Sequence, residues 1–183
     1  DLDLYVANRG PDVLLEGDGS GHFSPVPLPA ALASDQWSAG LAAADHDKDG
    51  DLDFYVTRYL DFDLTKMERG PDMQSYQRED PLPMLPFAFP AGENVFLRNK
   101  GDLVFEDVTE ELGLTDANGR GMQPIFWDFD RDADPDLYVA NDVSFNVLYR
   151  NEGDGTFQDI SYRTGVDDPR GGMGLAIGDV DGD

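Results

Sequence analysis

Two runs of alternating aspartate hold the residues of this chain best suited to chemistry: Asp45, Asp47, Asp49, Asp51 and Asp53, then Asp128, Asp130, Asp132, Asp134 and Asp136. Alternate residues of a tightly wound loop turn their oxygens toward one point, and hard cations such as calcium take about six to eight oxygens at about 2.3–2.6 Å. The spacing therefore predicts calcium sites. In the first loop Asp45, Asp47 and Asp49 supply side chains, Asp51 its backbone carbonyl and Asp53 a closing carboxylate, while Gly50 takes the sharp turn. Carboxylates about 5 Å apart repel by roughly 3 kcal/mol at an effective dielectric of about 20, so a loop this crowded calls for a cation. Magnesium is a poorer match, because it demands octahedral geometry and keeps its water. Zinc prefers nitrogen and sulfur, and the neighbouring His46 occupies an even position expected to point it away. An EF-hand is excluded at its twelfth position, which needs an acid and here is Val56. The second loop carries Ala133 in place of the turn glycine and a proline at Pro135, so it is expected to bind more weakly.

The loops belong to a repeat. Each is followed by an apolar strand, Phe54-Tyr-Val56 or Leu137-Tyr-Val139. Asp1-Leu-Asp3-Leu-Tyr-Val6 matches the tail of the same unit, and Asp179-Val-Asp181-Gly-Asp183 matches its head, which adds Asp1, Asp3, Asp179, Asp181 and Asp183 to the candidate ligands. The period is about 50 residues with one insertion of about 32, the signature of stacked or radially arranged units. After the loop and strand comes a second segment, Asp12-Val-Leu-Leu15, Asn94-Val-Phe-Leu-Arg98 or Asn146-Val-Leu-Tyr-Arg150, and a glycine-bearing turn follows. A third segment comes next, Phe105-Glu-Asp-Val108 or Phe157-Gln-Asp-Ile160. The fourth, Gly40–Ala44, Met122–Trp127 or Gly174–Gly178, leads into the next aspartate loop.

Four short strands per unit with no long helical period predict an all-β fold, three four-stranded blades of a larger β-propeller. The units run over about 1–44, 45–127 and 128–178, with 179–183 opening a further one. A single helical turn is expected near Thr109–Leu112, stopped by Gly113. Residues 61–92 form a proline-rich insertion, read as a loop laid over the body. Three blades leave open edges, so the remaining blades are expected from a longer chain or an assembly.

Composition narrows the partners. A formal charge of −25 with 13 Lys and Arg removes nucleic acid, and 30 of the 38 acids are Asp, the shorter carboxylate favoured in turns and tight oxygen cages. There is no Cys, and no apolar run approaches the length of a membrane span. His22 and His46 have no recognisable nucleophile beside them, the glycines of 17–21 sit in a hairpin rather than a phosphate loop, and no enzymatic activity is expected. Trp37 and Trp127 each precede an aspartate loop and are read as fillers between blades.

The aspartate motif leading into a Leu-Tyr-Val strand resembles the FG-GAP/VCBS repeats of integrin α-subunit propellers and their bacterial relatives. Asn94-Val-Phe-Leu-Arg-Asn99, Phe105-Glu-Asp-Val-Thr109 with Gly113-Leu114, and Asn146-Val-Leu-Tyr-Arg-Asn151 with Gly153-Asp-Gly-Thr-Phe157 are similar to the cartilage acidic protein family and to bacterial proteins carrying an ASPIC/UnbV domain. The resemblance implies a seven- or eight-bladed propeller whose hairpin loops bind calcium, placed outside the cell, at its surface or in the periplasm. The function expected is adhesion, scaffolding or protein–protein interaction through a propeller face. A carbohydrate-binding propeller stands second, and the propeller part of a secreted enzyme third.

Overall fold

A computed structural model describes residues 1–62, 86 and 89–181. The strands are β1 (Leu4–Val6), β2 (Val13–Gly17), β3 (Phe23–Val26), β4 (Ser38–Ala44), β5 (Asp53–Arg58), β6 (Val95–Asn99), β7 (Phe105–Asp107), β8 (Gly121–Trp127), β9 (Asp136–Asn141), β10 (Val147–Asn151) and β11 (Phe157–Asp159). A 3-10 helix spans Ala30–Ala33 and a single helical turn, α1, spans Ser161–Thr164. The strands form three antiparallel sheets, ordered β1-β2-β3, β4-β5-β6-β7 and β8-β9-β10-β11. This is the all-β, blade-by-blade architecture expected. Most of the proline-rich insertion lies outside the described residues.

The aspartate loops join β4 to β5 and β8 to β9. The fourth segment of one repeat thus becomes the first strand of the next sheet, as Leu41↔Val56 and Ile125↔Tyr138 in the ladders show. Gly174–Gly178 differs from its counterparts and is not in a strand. Its counterparts pair with the strand after an aspartate loop, and the described residues hold no such strand for it. Instead Leu175 donates its N–H to Gln123 Oε1 at 2.9 Å.

Successive residues of a strand face opposite sides of its sheet, so a middle strand buried on both sides stitches two cores together. In β5, Tyr55 packs with Phe96, Leu137, Tyr149 and Phe157 toward the third sheet. Its neighbour Val56 packs with Leu32, Val95 and Leu97 toward the first. Close contact at the first strands depends on small residues. A Cβ on Gly40 would lie 2.4 Å from the carbonyl oxygen of Met122, and one on Gly121 2.7 Å from Thr57 Cβ. The Thr57 hydroxyl lies 3.2 Å from the Gly40 carbonyl and 3.1 Å from that of Met122, joining β4 and β8 through a β5 side chain.

Polar residues repeat as faithfully as the apolar ones. Asp12, Asn94 and Asn146 each accept, through Oδ1, the backbone N–H of Asn8, Arg58 or Asn141 near the end of the preceding strand. Thr109 Oγ1 accepts the N–H of Phe96 at 2.8 Å and donates to Asp107; Ser161 does the same with Leu148 and Asp159. The expected turn forms, with Leu112 N–H donating to Val108 O and Gly113 at φ 73°. Its counterpart α1, closed by Gly165 at φ 72°, was not anticipated. Ser161-Tyr-Arg-Thr164-Gly165 stands where Thr109-Glu-Glu-Leu112-Gly113 stands, and the shared hydroxyl and terminal glycine were the signal.

Candidate metal centres

Both complete loops wind the same way. Asp45 accepts the N–H groups of Asp49 and Gly50, each at 3.0 Å, and Asp49 Oδ1 accepts that of Asp51 at 2.9 Å. In the second loop Asp128 accepts from Asp132 and Ala133 at 3.1 and 2.9 Å, and Asp132 from Asp134 at 2.9 Å. The short carboxylate arm holds two amides of the turn ahead of it, and this fixes the winding. Gly50 has φ 99° and Ala133 φ 71°, so the alanine takes the left-handed backbone expected of its position. Lys48 at φ 62° and Arg131 at φ 65°, both fourth in their loops, also take it. Nothing in their residue types signalled that.

Ligand-competent atoms of Asp45, Asp47 and Asp49 lie within 4.8 Å of one another in the first loop, and so do those of Asp128, Asp130 and Asp136 in the second. Asp47 also belongs to a group with Asp53 and His46. Carboxylate oxygens dominate, the donor set that suits calcium better than zinc. The side chains of Asp51, Asp132 and Asp134 are outside these groups, and Asp134 pairs with Lys48 of the other loop at 2.8 Å. Asp3 accepts Gly17 N–H as Asp53 and Asp136 accept Asn99 and Asn151 N–H, which identifies it as the ninth position of its own repeat. Asp1, Asp179 and Asp181 are exposed and join no such group among the described residues; Asp183 lies outside them.

Asp53 and Asp136, the ninth-position aspartates of the two complete loops, are fully buried, whereas Asp3 is exposed. Asp53 accepts Asn99 N–H at 2.9 Å through Oδ1, and His46 N–H and Nδ1 at 3.0 and 2.5 Å through Oδ2. Asp136 accepts Phe129 N–H at 3.0 Å and Asn151 N–H at 2.9 Å. Burial pushes the Asp136 carboxyl up to about 6 against these hydrogen bonds, with Asp130 and Asp132 adding to the rise.

His46 departs from expectation. Rather than merely pointing away from the loop, it turns into the core, its ring edge-on to Phe96 at 4.8 Å and stacked with Phe157 at 6.3 Å. Phe129, half-buried, holds the equivalent place in the second loop, so the position takes a ring in both. His22 is exposed. At the far end of β5 from the loop lies a cavity of about 740 Å³ between the 3-10 helix and the segment after β7, lined by Arg58, Glu93, Asp107, Glu110 and Asp116 among others.

Antiparallel sheets stacked face to face, the two four-stranded ones each carrying an aspartate loop between their first two strands, are blades of a β-propeller. A sequence model of FG-GAP-like repeats matches residues 1–56 and 128–183, more than half of the chain, and the chain belongs to that family. Cartilage acidic protein 1 of Xenopus tropicalis is 38% identical over 89 residues, which are 46% of this chain and 13% of that protein. The human and mouse proteins of the same name are 36% and 35% identical over 89 residues, with the same coverage. The match therefore spans a small part of those relatives. Among the described residues, no helix is long and apolar enough to cross a membrane.

Proposed function

We propose that the chain is part of a calcium-binding extracellular β-propeller that acts in adhesion, scaffolding or protein–protein interaction. The observation that carries this reading is the gathering of three carboxylates within 4.8 Å in two loops at equivalent places of a repeat. Asp45, Asp47, Asp49 and Asp53 would hold one ion and Asp128, Asp130 and Asp136 the other. A bound ion offsets carboxylate repulsion and ties the ends of β4 to β5 and of β8 to β9. Site affinities in the range common to extracellular modules, roughly 10⁻⁴–10⁻³ M, would suit a setting where calcium is plentiful. Cartilage acidic protein 1, by its name a cartilage protein, is in keeping with an extracellular setting.

A protein partner is preferred to a glycan. Among the described residues, the lining of the cavity beside Arg58 holds no aromatic side chain for a sugar to stack on. Its acidic rim suits a cationic group on a partner surface. The test of the cation reading is thermal unfolding in excess chelator and in millimolar calcium, together with calorimetric titration. Calcium at ten or more times Kd should add roughly 1.4 kcal/mol or more to stability and raise Tm. An unchanged Tm and no binding heat would refute the reading.

A further inference from the structure

The closing carboxylates of the two loops are joined by buried hydrogen bonds running from one sheet to the next. Asp53 Oδ2 accepts His46 N–H at 3.0 Å. The carbonyl of His46 accepts Asn151 Nδ2–H at 3.0 Å, across the seam between sheets. Asn151 donates its backbone N–H to Asp136 Oδ1 at 2.9 Å, and Asp136 Oδ2 accepts Phe129 N–H at 3.0 Å. Asp53, Asp136 and Asn151 are fully buried and His46 is 2% exposed, so water does not compete for these bonds. Asn151 Nδ2 lies also 3.4 Å from the carbonyl of Pro135, in the second loop itself. The Lys48–Asp134 pair links the loops again at the surface.

We infer that the two loops bind cations as a coupled pair, with Asn151 as the positioning residue that transmits the coupling. The inference rests on the calcium reading above and adds to it a dependence of each site on its neighbour. A cation that fixes the Asp53 carboxylate fixes the peptide of His46. That peptide sets the Asn151 side chain, and Asn151 also holds the Asp136 carboxylate. The ordering needed at the second loop is then partly complete before its own ion arrives, so binding at one loop tightens binding at the other. Side-chain amide geometry suits this role, because one residue offers a donor to the neighbouring loop while its main chain braces its own.

Terbium luminescence excited through tryptophan reads the second loop selectively. Trp127 is bonded to Asp128, whereas Trp37 lies at the opposite end of β4 from the first loop. In the parent chain, Asp49→Ala, which disables the first loop, should weaken terbium binding at the second by roughly fivefold or more. In an Asn151→Ala background the same change should shift it by less than about twofold; Asn151→Ser serves if the alanine variant does not fold. Reciprocity gives a check free of any change at Asn151: with one and the same cation in both titrations, Asp130→Ala, which removes a ligand of the second loop, should weaken binding at the first loop by the factor by which Asp49→Ala weakens it at the second. Equal effects of Asp49→Ala in both backgrounds, or independent binding at two occupied loops, would overturn the coupling while leaving the calcium reading intact. Absence of binding at either loop would overturn both.

Discussion

Removing one oxygen from Asp53 separates its part in holding the fold from its part in holding an ion. Asp53→Asn keeps the shape and one acceptor but turns the other oxygen into a donor. If the remaining oxygen serves Asn99 N–H, the new amide faces His46 N–H and Nδ1. His46 can present Nδ1 as an acceptor to the amide, but its backbone N–H is left buried and unpaired, at a cost of about 1–3 kcal/mol. Loss of the negative charge weakens the surviving bond to Asn99 by about 1 kcal/mol more, giving roughly 2–4 kcal/mol in all. Asp49→Asn is the control. Asp49 is exposed and its acceptor for Asp51 N–H survives as the amide oxygen, so the change should stay within about 0.5 kcal/mol. Urea unfolding of both variants in excess chelator, where no cation contributes, measures the difference. Losses within about 1 kcal/mol of each other would refute the view that the ninth aspartate is a structural brace in its own right.

Turn geometry gives a second expectation. No atom lies within 4 Å of a Cβ added at Gly50, so Gly50→Ala carries only the backbone cost at φ 99°, about 1 kcal/mol or more, partly offset by a stiffer unfolded chain. Ala133→Gly should be neutral or stabilising by up to about 1 kcal/mol, and should narrow any affinity gap between the loops in calorimetric titration. The raised Asp136 carboxyl gives a third. A group with a raised folded pKa keeps its proton more firmly folded than unfolded, so cation-free stability should fall as pH rises from about 3.8 through about 6. Because an ion favours the charged form, adding calcium near pH 6 should release protons into a weakly buffered solution, and proton uptake would contradict the placement of Asp136 at the ion. Finally, Thr109→Val and Ser161→Ala should each cost about 1–3 kcal/mol in urea unfolding, since each leaves a buried amide, that of Phe96 or Leu148, without its acceptor.

Hairpin order was legible because glycine-bearing turns and apolar segments point the same way, and the ladder Leu97↔Asp107 with Asn99↔Phe105 closes around one such turn at Gly101. Alternate spacing points to Asp45, Asp47 and Asp49, which lie together, but it does not tell Asp132, which stays outside its group, from Asp136, which joins it. Other features were hidden because they depend on neighbours distant in the chain. His46 is a polar residue in an acidic loop, and only the rings of Phe96 and Phe157, from two different sheets, make its place a core one. The double duty of Asp53 depends on Asn99, 46 residues on. Lys48 and Arg131 take left-handed backbone because the turn around Asp45 or Asp128 over-determines them, which no residue propensity reports.

The two glycines where β4 meets β8 also bear on geometry at a larger scale. Sheets packed face to face but pinched along one edge are wedges, and the pinch sets the rotation from each wedge to the next. Gly40 and Gly121 let that edge close to the limit, with a backbone carbonyl and a threonine occupying the space a side chain would need. A ring closes when such rotations add up to a full turn, so a bulkier residue at either glycine would widen the hub, shrink each step and favour a ring of more members. The number of blades in a propeller of this kind is in this sense a property of its smallest residues, fixed where the strands have least room.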